Sequence, residues 1–400
     1  MKILFLNPIG ELGGAERMLL DVMASLREVL PNDSSMHLIL MADGPLRAAA
    51  EVLGARVHVV PMPASLAKTG SSAGTLRLIA RGVLGLPSVW SFTGLLRAMI
   101  RSINPDVIHS NGVKTHLLTR FIASAAPGAV CVWHVHDLLG ERPMLAKLLR
   151  RFTSRVSCAV AISQAVASDL RTMLPRVTVK TVLNAIDVDH FSPGPANRAT
   201  LDRSADESLV RIGLVATYAR WKGHEIFLQA AAAARAARPG AAMRFYIIGG
   251  PIYSTAGSQC DRNELVHRAK ELGILEHLSF VDFQLDPLLV YRALDIVVHA
   301  STRPEPFGRT IAEAMACGRA VIVSQAGGAS ELFEPDVDAI GVPPGDVTAL
   351  AAAIVRLADD ASLRCQIGES ARRRAVERFD RRRLGPAIYA VYQDFGRSQP

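Results

Sequence analysis

The chain has few aromatic residues for its size. They make up 6% of its 400 residues, and basic and aromatic residues are not interleaved in the way that stacks nucleic acid bases. No nucleic acid partner is therefore expected, although the formal net charge is +8. An anionic small substrate or an anionic membrane surface fits this charge better.

Cysteine is also scarce. The five cysteines are scattered without Cys-x-x-Cys spacing, so they predict neither a zinc site nor a disulfide framework. Most of them lie in apolar stretches, where a free cysteine acts as a small core residue. A reducing, cytoplasmic setting is the simplest interpretation.

Long hydrophobic runs are missing as well. The longest apolar stretch, between Arg81 and Arg97, is shorter than the ~20 residues of a membrane-spanning helix, and it contains Pro87. The first residues do not have the composition of a signal peptide. We expect a soluble protein in which the apolar segment from Gly82 to Met99 either touches a membrane surface peripherally or covers a cleft.

What the chain does contain is an alternation of short apolar runs with helical patterns, beginning at residues 3–7. Such alternation predicts a parallel sheet with helices on both faces. The pattern stops at residues 191–208, which are rich in Pro, Ser, Asp and Arg, and then restarts. The predicted fold class is α/β, with two Rossmann-like, doubly wound domains facing each other across a cleft.

The expected boundaries follow from the same pattern. The first domain covers residues 1–190, the linker 191–208 and the second domain 209–383. A helix over residues 384–400 has apolar residues on one side and is expected to complete the first domain. Functional sites of such sheets lie at the carboxyl ends of the strands.

The stretch richest in chemistry covers residues 293–332. Glu305 lies in a loop after a predicted strand, a helix starts near Gly308, and Glu313 follows Glu305 by eight residues. A helix N-terminus binds phosphate, and a glycine there lets a diphosphate approach the backbone. The two carboxylates would then bind a sugar and a ribose on either side of it. The competing interpretation is two surface glutamates near a helix start.

The segment EPFGRTIAEAMACGRAVIVSQAGGASEL resembles the E-x7-E signature region of the GT-B glycosyltransferases, family 4 in particular. Further segments resemble the same family along nearly the whole chain: NPIGELGGAERML, HVHD, AISQAVASDL, VLNAIDVDHFSP, ARWKGHEIFLQAA and VPPGDVTALAAAI. The resemblance implies the GT-B fold and a retaining hexosyltransferase that uses a nucleotide-diphosphate sugar.

The resemblance also implies site residues. The catalytic residues would be Glu305, His136 and Lys222. The donor-binding residues would be Gly13, Gly14, Arg220, Lys222, Gly249, Phe307, Gly308, Arg309, Thr310 and Glu313. Residues on the acceptor side would be Glu16, Asn111 and Asp137. Gly249 is expected beside the nucleotide base, together with residues 283–285.

One position departs from the family pattern. Thr217 stands where the family usually has an arginine that binds the diphosphate together with Lys222. Arg220 is the available substitute, since a long arginine side chain can reach a phosphate from a shifted position.

Four histidines lie in or at the ends of predicted strands. We expect His134 and His136 to point to opposite faces, so that only one of them reaches the site. The resemblance of HVHD to a Val-His-Asp segment favours His136, which would bind a hydroxyl of the transferred sugar. Asp137 would orient His136 or contact the acceptor. His109 and His299 are expected to be structural.

No essential metal or other cofactor is predicted. Two Asp-x-Asp strings begin at Asp187 and Asp336, but such short strings are common by chance. Lys222, Arg220 and the helix start would instead offset the charge of the leaving diphosphate. The nucleotide sugar is a co-substrate.

The expected acceptor is a sugar or a lipid-linked sugar, in the synthesis of polysaccharide, lipopolysaccharide or another glycoconjugate. Two alternatives stay open. A nucleotide-sugar epimerase or hydrolase on the same fold would be distinguished by its products with and without acceptor. A non-catalytic sugar-nucleotide-binding module would bind without turnover.

Overall fold

A computed structural model describes residues 1–63, 86–201, 206, 208–251 and 258–396. The chain divides into two compact units. Unit 1 consists of Met1–Ala185 and Arg381–Pro400, and unit 2 consists of Ile186–Asp380.

Unit 1 contains a parallel sheet with the order β3-β2-β1-β4-β5-β6-β7 in its described residues. The strands are β1 (Lys2–Asn7), β2 (Ser35–Leu40), β3 (Arg56–Val59), β4 (Val107–Asn111), β5 (Val130–Val135), β6 (Cys158–Ala161) and β7 (Val179–Thr181). The α-helices among the described residues of this unit are Gly14–Val29, Pro45–Val52, Leu86–Ile103, Val113–Ile122, Pro143–Arg150, Gln164–Met173 and Leu384–Gly396. The strand order reverses between β1 and β4, which is the place where such sheets bind ligands.

The C-terminal helix Leu384–Gly396 packs against helix Gly14–Val29 in the core of unit 1. The Gly385 N–H donates to Ser25 Oγ at 2.8 Å. A Cβ atom at position 385 would lie 2.2 Å from the Ser25 carbonyl oxygen, so the two helices meet this closely only because the residue is glycine. The last helix therefore belongs structurally to unit 1, although it follows unit 2 in the chain.

Unit 2 contains a second parallel sheet, with the order β10-β9-β8-β11-β12-β13 in its described residues. The strands are β8 (Val210–Val215), β9 (Met243–Gly249), β10 (Leu278–Asp282), β11 (Ile296–His299), β12 (Ala320–Ser324) and β13 (Ile340–Val342). The α-helices are His224–Ala237, Arg262–Glu271, Leu288–Ala293, Arg309–Ala316, Val347–Asp359 and Ala361–Phe379. Because β8 and β11 are neighbours, the loops that follow them meet at one edge of the sheet.

The segment expected to be a linker packs on unit 2 over much of its described length. Phe191 is 4% exposed, and Arg292 Nε donates to the Ser192 carbonyl oxygen at 2.8 Å. Residues 202–205 and 207 of the expected linker lie outside the described residues. The chain passes from unit 1 to unit 2 between Ala185 and Ile186, five residues before the boundary expected from the sequence.

Within the described residues, no helix has both the length and the apolar character needed to cross a membrane. Most of the apolar segment noted in the sequence forms helix Leu86–Ile103, while residues 82–85 lie outside the described part. Phe92 and Leu96 are buried in unit 1, whereas Trp90 is 74% exposed. Contact of this segment with a membrane stays a prediction.

Candidate active site

Lys222 closes a short 3-10 turn that follows β8 in unit 2. The next residue, Gly223, has a φ of +78°, and a Cβ atom there would lie 1.8 Å from the carbonyl oxygen of Ala300. Only glycine allows this approach. The Lys222 ammonium nitrogen also lies 4.0 Å from the ring centre of Trp221, a cation–π contact. The turn after β8 therefore holds Lys222 beside the residues that follow β11.

Glu305 lies in the loop after β11, and its backbone is tied to the loop after β12. The Glu305 N–H donates to the Ala326 carbonyl oxygen at 3.2 Å, and the Gly328 N–H donates to the Glu305 carbonyl oxygen at 2.7 Å. Gly327 between them has a φ of +65°. These two hydrogen bonds fix the position of the Glu305 side chain at the carboxyl edge of the sheet.

The Glu305 carboxylate is 4% exposed and collects three polar partners on Oε1. The Lys222 ammonium contacts this oxygen, His299 Nε2 lies 3.2 Å from it, and Ser301 Oγ lies 3.1 Å from it. Burial raises the pKa of Glu305, but the Lys222 ammonium and the His299 hydrogen bond reverse this and lower the pKa to about 2. Glu305 is therefore an ionised carboxylate at neutral pH.

Helix Arg309–Ala316 begins directly after Gly308, whose φ is +107°. The N–H groups of a first helical turn have no partner within the helix, and the helix dipole is positive at this end. A Cβ atom at position 308 would lie 2.7 Å from Ile311 Cδ1. Glycine is therefore required here by its positive φ and by the close packing of Ile311, and the helix N-terminus that follows it suits an anion such as a phosphate.

The Glu313 carboxylate is 5% exposed and is held by two donors. Arg309 Nε donates to Oε1 at 3.2 Å, and the Tyr291 hydroxyl donates to Oε2 at 3.0 Å. Burial raises the pKa of Tyr291 well above its usual value, and the charge of Glu313 adds to this effect. Tyr291 therefore stays protonated and acts as a hydrogen-bond donor.

Two other residues of the predicted donor set differ in burial. Phe307 is 3% exposed, and its ring packs edge-on against Phe379 with 5.9 Å between the ring centres. Its side chain thus belongs to the core of unit 2, and a contact with donor would have to come from its backbone. Thr310 is half-buried in the first turn of the helix.

Arg220 is engaged with another side chain of unit 2. Its two terminal nitrogens donate to the two carboxylate oxygens of Glu264, at 2.5 and 3.0 Å, and its side chain is 53% exposed. Thr217 lies two residues beyond the end of β8. The phosphate-binding role of Arg220 stays a prediction, and it requires Arg220 to leave Glu264.

The two glycines at the end of β9, Gly249 and Gly250, lie near exposed apolar side chains. Gly249 has a φ of +156°, and a Cβ atom there would lie 1.9 Å from the Ala216 carbonyl oxygen. A Cβ atom on Gly250 would lie 3.4 Å from Phe283 Cβ. Phe283 and Leu285 are 43% and 57% exposed. This surface is compatible with the flat face of a nucleotide base, the role expected from the sequence.

In unit 1, three of the predicted residues meet at the carboxyl ends of β1, β4 and β5. His136 Nε2 lies 2.6 Å from Asn111 Oδ1, and Asn111 Nδ2 donates to Asn7 Oδ1 at 2.7 Å. Asn7 Nδ2 in turn lies 3.4 Å from Glu16 Oε1. Burial lowers the pKa of His136 to about 4, so the imidazole is neutral at pH 7.

The remaining predicted residues of unit 1 lie around the start of helix Gly14–Val29. Gly13 precedes the helix with an extended backbone, and the space around a Cβ atom on Gly14 is open. Burial raises the pKa of Glu16, and the charge of Asp137 adds to this rise. A second helix N-terminus, with an acidic group in its first turn, is thus positioned at the carboxyl edge of the unit 1 sheet.

The expectation that His134 and His136 point to opposite faces was wrong. Their ring centres are 4.5 Å apart, because residues two apart in a strand share a face. His134 is fully buried, and its Nδ1 lies 3.1 Å from His109 Nε2. His109 Nδ1 lies 2.6 Å from the Tyr392 hydroxyl. His109 and His134 thus form a buried core network, while His136 is half-buried beyond the end of β5.

Four residues that contact the predicted site residues were not recognised from the sequence: His299, Ser301 and Tyr291 in unit 2, and Asn7 in unit 1. His299 was expected to be structural, although it ends β11 six residues before Glu305, and this position was a usable signal. Ser301 lies between them. Tyr291 lies in the helix just before the stretch 293–332, outside every quoted segment. Asn7 ends β1 and begins the segment NPIGELGGAERML, so its position was a second usable signal.

The Asp-x-Asp strings are used structurally. Asp187 Oδ1 accepts hydrogen bonds from the N–H groups of Asp189 and His190, which closes a turn. Asp338 is 2% exposed and forms an ion pair with Arg374. Within the described part of the chain, no group of three potential metal ligands is close enough to hold an ion. That no metal is needed stays a prediction.

Two family models match the chain, and together they extend over both units. The model described as Glycosyltransferase Family 4 matches residues 12–190, and the model described as Glycosyl transferases group 1 matches residues 203–374. The chain belongs to the family 4 glycosyltransferases. This confirms the family that the sequence motifs indicated.

Solved structures support the same assignment. The crystal structure of Anabaena Alr3699/HepE in complex with UDP and glucose has a TM-score of 0.81 and 26% identity, covering 98% of this chain and 99% of that one. HepE has also been solved in complex with UDP-glucose, with the same TM-score and identity. Sucrose-phosphate synthase from Thermosynechococcus elongatus, at 19% identity and a TM-score of 0.77, covers 100% of both chains and shares the fold. The predicted GT-B fold is confirmed.

Curated relatives match part of the chain. A D-inositol 3-phosphate glycosyltransferase of Saccharomonospora viridis is 33% identical over 222 residues, which are 54% of this chain and 50% of the relative. That of Corynebacterium jeikeium is 31% identical over 223 residues, 54% of this chain and 52% of the relative. The chain thus matches about half the length of these relatives.

Proposed function

We propose that the chain is a retaining glycosyltransferase that moves a sugar from a nucleotide-diphosphate sugar to a hydroxyl acceptor. The observation that carries the proposal is the contact between the Lys222 ammonium and the buried Glu305 carboxylate in unit 2. Both groups lie at the carboxyl edge of a Rossmann-like sheet, where the loops after β8 and β11 meet. A cation there suits a diphosphate, and a carboxylate suits sugar hydroxyls.

In this proposal the donor is a UDP-linked hexose. HepE, which is similar along nearly its whole length, binds UDP-glucose. The diphosphate occupies the N-terminal end of helix Arg309–Ala316, and Glu313 accepts hydrogen bonds from the ribose hydroxyls. The uracil ring lies against the exposed side chain of Phe283.

Retention follows from transfer on one face of the donor sugar. The bond between the anomeric carbon and the diphosphate breaks while the acceptor oxygen bonds to the same face, and the departing diphosphate takes the acceptor's proton. The Glu305 carboxylate already contacts Lys222, His299 and Ser301. A carboxylate held in this way is better suited to bind a sugar hydroxyl than to attack the anomeric carbon. The protein then contributes position and charge stabilisation.

The proposal includes no essential metal. The charge of the diphosphate is offset by Lys222, by the helix N-terminus and by Arg220. Arg220 takes part only after its ion pair with Glu264 has broken. Turnover in buffer treated with EDTA should equal turnover with added Mg²⁺. A loss of activity in EDTA that Mg²⁺ restores would contradict this part of the proposal.

The proposed acceptor is a sugar or lipid-linked sugar in polysaccharide, lipopolysaccharide or other glycoconjugate synthesis, on the cytoplasmic side of a membrane. The formal net charge of +8 and the exposed Trp90 on helix Leu86–Ile103 support peripheral contact with an anionic bilayer. Co-sedimentation with anionic and with neutral vesicles tests this. Equal recovery with both would contradict the electrostatic contact.

A donor panel tests the activity itself. UDP-, ADP- and GDP-sugars are incubated with and without candidate acceptors, nucleoside diphosphate release is measured, and the anomeric configuration of the product is read by NMR. The proposal predicts acceptor-dependent release from a UDP-hexose and retention of configuration. Equal release without acceptor would indicate a hydrolase, isomerised donor an epimerase, and binding without turnover a non-catalytic module.

A further inference from the structure

In unit 1, a row of hydrogen bonds runs from the backbone to His136. Asn7 Nδ2 donates to the Ile9 carbonyl oxygen at 2.7 Å. Asn111 Nδ2 donates to Asn7 Oδ1 at 2.7 Å, and Asn111 Oδ1 lies 2.6 Å from His136 Nε2. Asn7 and Asn111 are 0% and 1% exposed, so water does not compete for their amides.

The donor and the acceptor of each hydrogen bond in this row can be assigned, starting from the Ile9 carbonyl. The carbonyl of Ile9 can accept a hydrogen bond but cannot donate one, so the amide nitrogen of Asn7 must face it. The Asn7 oxygen then faces Asn111, whose nitrogen must point back to it. The Asn111 oxygen is left facing His136, and His136 Nε2 must carry the hydrogen of that bond.

Two further contacts agree with this direction. Asn7 Nδ2 also lies 3.4 Å from Glu16 Oε1, and Asn111 Nδ2 lies 3.4 Å from the Ala15 carbonyl oxygen. Both of these neighbours offer lone pairs. If the amides were flipped, oxygen would face oxygen at Ile9 and Ala15, at two side chains that are buried from solvent. The two asparagines can therefore be placed in only one orientation.

We propose that Asn7 and Asn111 are positioning residues that fix His136 as the Nε2–H tautomer and leave its Nδ1 as a hydrogen-bond acceptor for a substrate hydroxyl. His136 Nδ1 has no hydrogen-bond partner within the described part of the chain. The ring is half-buried beyond the end of β5. Because burial lowers its pKa to about 4, the imidazole is neutral and has one lone pair to offer.

The inference changes the role of Asn111. The sequence motifs suggested that Asn111 contacts the acceptor. In the structure its amide oxygen lies against His136 Nε2, and its amide nitrogen donates to Asn7 Oδ1. Asn111 thus acts through His136. The part that concerns the substrate hydroxyl rests on the proposed function, whereas the tautomer does not.

The tautomer can be measured directly on the full chain. The protein is labelled with ¹⁵N-histidine, and long-range ¹H–¹⁵N correlation spectra are recorded at pH 7, with His136 assigned by comparison with His136→Gln. The inference predicts a protonated Nε2 and an unprotonated Nδ1. A protonated Nδ1, an equal mixture of tautomers or an imidazolium would overturn it. This result needs no folded Asn variant and no activity.

Substitutions of Asn111 then test whether the asparagines determine the tautomer of His136. Asn111→Leu removes the hydrogen bonds of the Asn111 amide to His136, Asn7 and Ala15, and His136 should become a mixture of tautomers. Asn111→Asp keeps an acceptor for Nε2–H, and in its protonated form its hydroxyl donates to Asn7 Oδ1 in place of the amide, so the tautomer should persist. The exposed Asn197→Ala serves as a control variant, and the signals of His277 in unit 2 serve as an internal control. An unchanged His136 tautomer in Asn111→Leu would remove the asparagines from the explanation.

Activity assays of the same variants distinguish a failure of this inference from a failure of the proposed function. Asn111→Leu should lower kcat/KM for the donor about tenfold or more, and Asn111→Asp should recover part of that loss. Equal activity in wild type and Asn111→Leu, alongside the predicted change of tautomer, would refute the role toward the substrate. A wild-type chain with the predicted tautomer but no sugar transfer would refute the proposed function alone.

Discussion

The Lys222 ammonium contacts the Glu305 carboxylate, although 83 residues separate them in the chain. The contact exists because β8 and β11 pair in the sheet of unit 2, which brings the turn after β8 to the loop after β11. Glu305 is 5% exposed at its side chain and Lys222 is 22% exposed. The cation is thus the partly accessible member of the pair, and an incoming anion meets Lys222 first.

Loss of Lys222 should abolish most of the activity. Lys222→Ala removes the cation from the proposed diphosphate site and leaves the buried Glu305 carboxylate without its counterion. We expect kcat/KM to fall about 100-fold or more, the size seen when a charge-stabilising donor is removed. Steady-state assays of nucleotide release check this, with the exposed Lys270→Ala as control. Unchanged donor affinity and turnover in Lys222→Ala would contradict the phosphate assignment.

Glu305 should make stability depend on pH. Its pKa is lowered to about 2 in the folded chain, from 4.5. A carboxylate with a lowered pKa contributes stability that is fully present above pH 4.5 and is lost as the pH falls toward 2. We expect Glu305→Gln to lower the free energy of unfolding by up to about 3 kcal/mol at neutral pH. This difference should shrink between pH 5 and pH 3.

Denaturant unfolding of both proteins at several pH values measures that difference, with the exposed Glu377→Gln as control. A difference that stays constant from pH 7 to pH 3 would show that the Glu305 carboxylate is not specifically stabilised as an anion.

The two glutamates should affect different kinetic parameters. Glu313→Ala should weaken UDP binding, because it removes the proposed ribose contact, whereas Glu305→Ala should lower turnover more strongly. Tyr291→Phe removes a hydrogen-bond donor to the Glu313 carboxylate. We expect about a 10- to 150-fold weaker affinity for UDP, the size expected from the loss of one hydrogen bond to a charged group.

Calorimetric titration with UDP and steady-state kinetics separate these effects, and Tyr389→Phe in unit 1 is the matched control. Negligible effects of both glutamate substitutions would contradict the site model.

The pair formed by Arg220 and Glu264 should compete with donor. If Arg220 binds the diphosphate in place of the arginine that the family usually has at position 217, it must first leave Glu264. Glu264→Gln should then strengthen UDP binding and Arg220→Ala should weaken it, each by about tenfold or less, because the pair is exposed. Titration with UDP checks both. Unchanged affinity in Arg220→Ala would assign Arg220 to the surface of unit 2 alone.

The sequence predicted the local structure of the candidate site where its residues lie in one segment. Glu305, Gly308 and Glu313 belong to one strand–loop–helix stretch, so strand-end and helix-start arguments placed them correctly relative to each other. The alternation of strands and helices likewise predicted both sheets, because buried parallel strands read as continuous apolar runs.

Contacts between distant segments could not be predicted in the same way. The hydrogen bond from Tyr291 to Glu313 depends on how helix Leu288–Ala293 packs, and Asn7 gains its role from the pairing of β1 with β4. The periodicity of one strand was also misjudged for His134 and His136. Side-chain hydrogen bonds that cross between elements leave no local pattern in a single sequence.

The most direct measurement is a crystal structure of the full chain with UDP bound. The account predicts the diphosphate at the N-terminal end of helix Arg309–Ala316 within reach of Lys222, and the ribose hydroxyls on the Glu313 carboxylate. Nucleotide bound at another place, or bound here with no contact from Glu313 to the ribose, would contradict the central claim that these residues form the donor site.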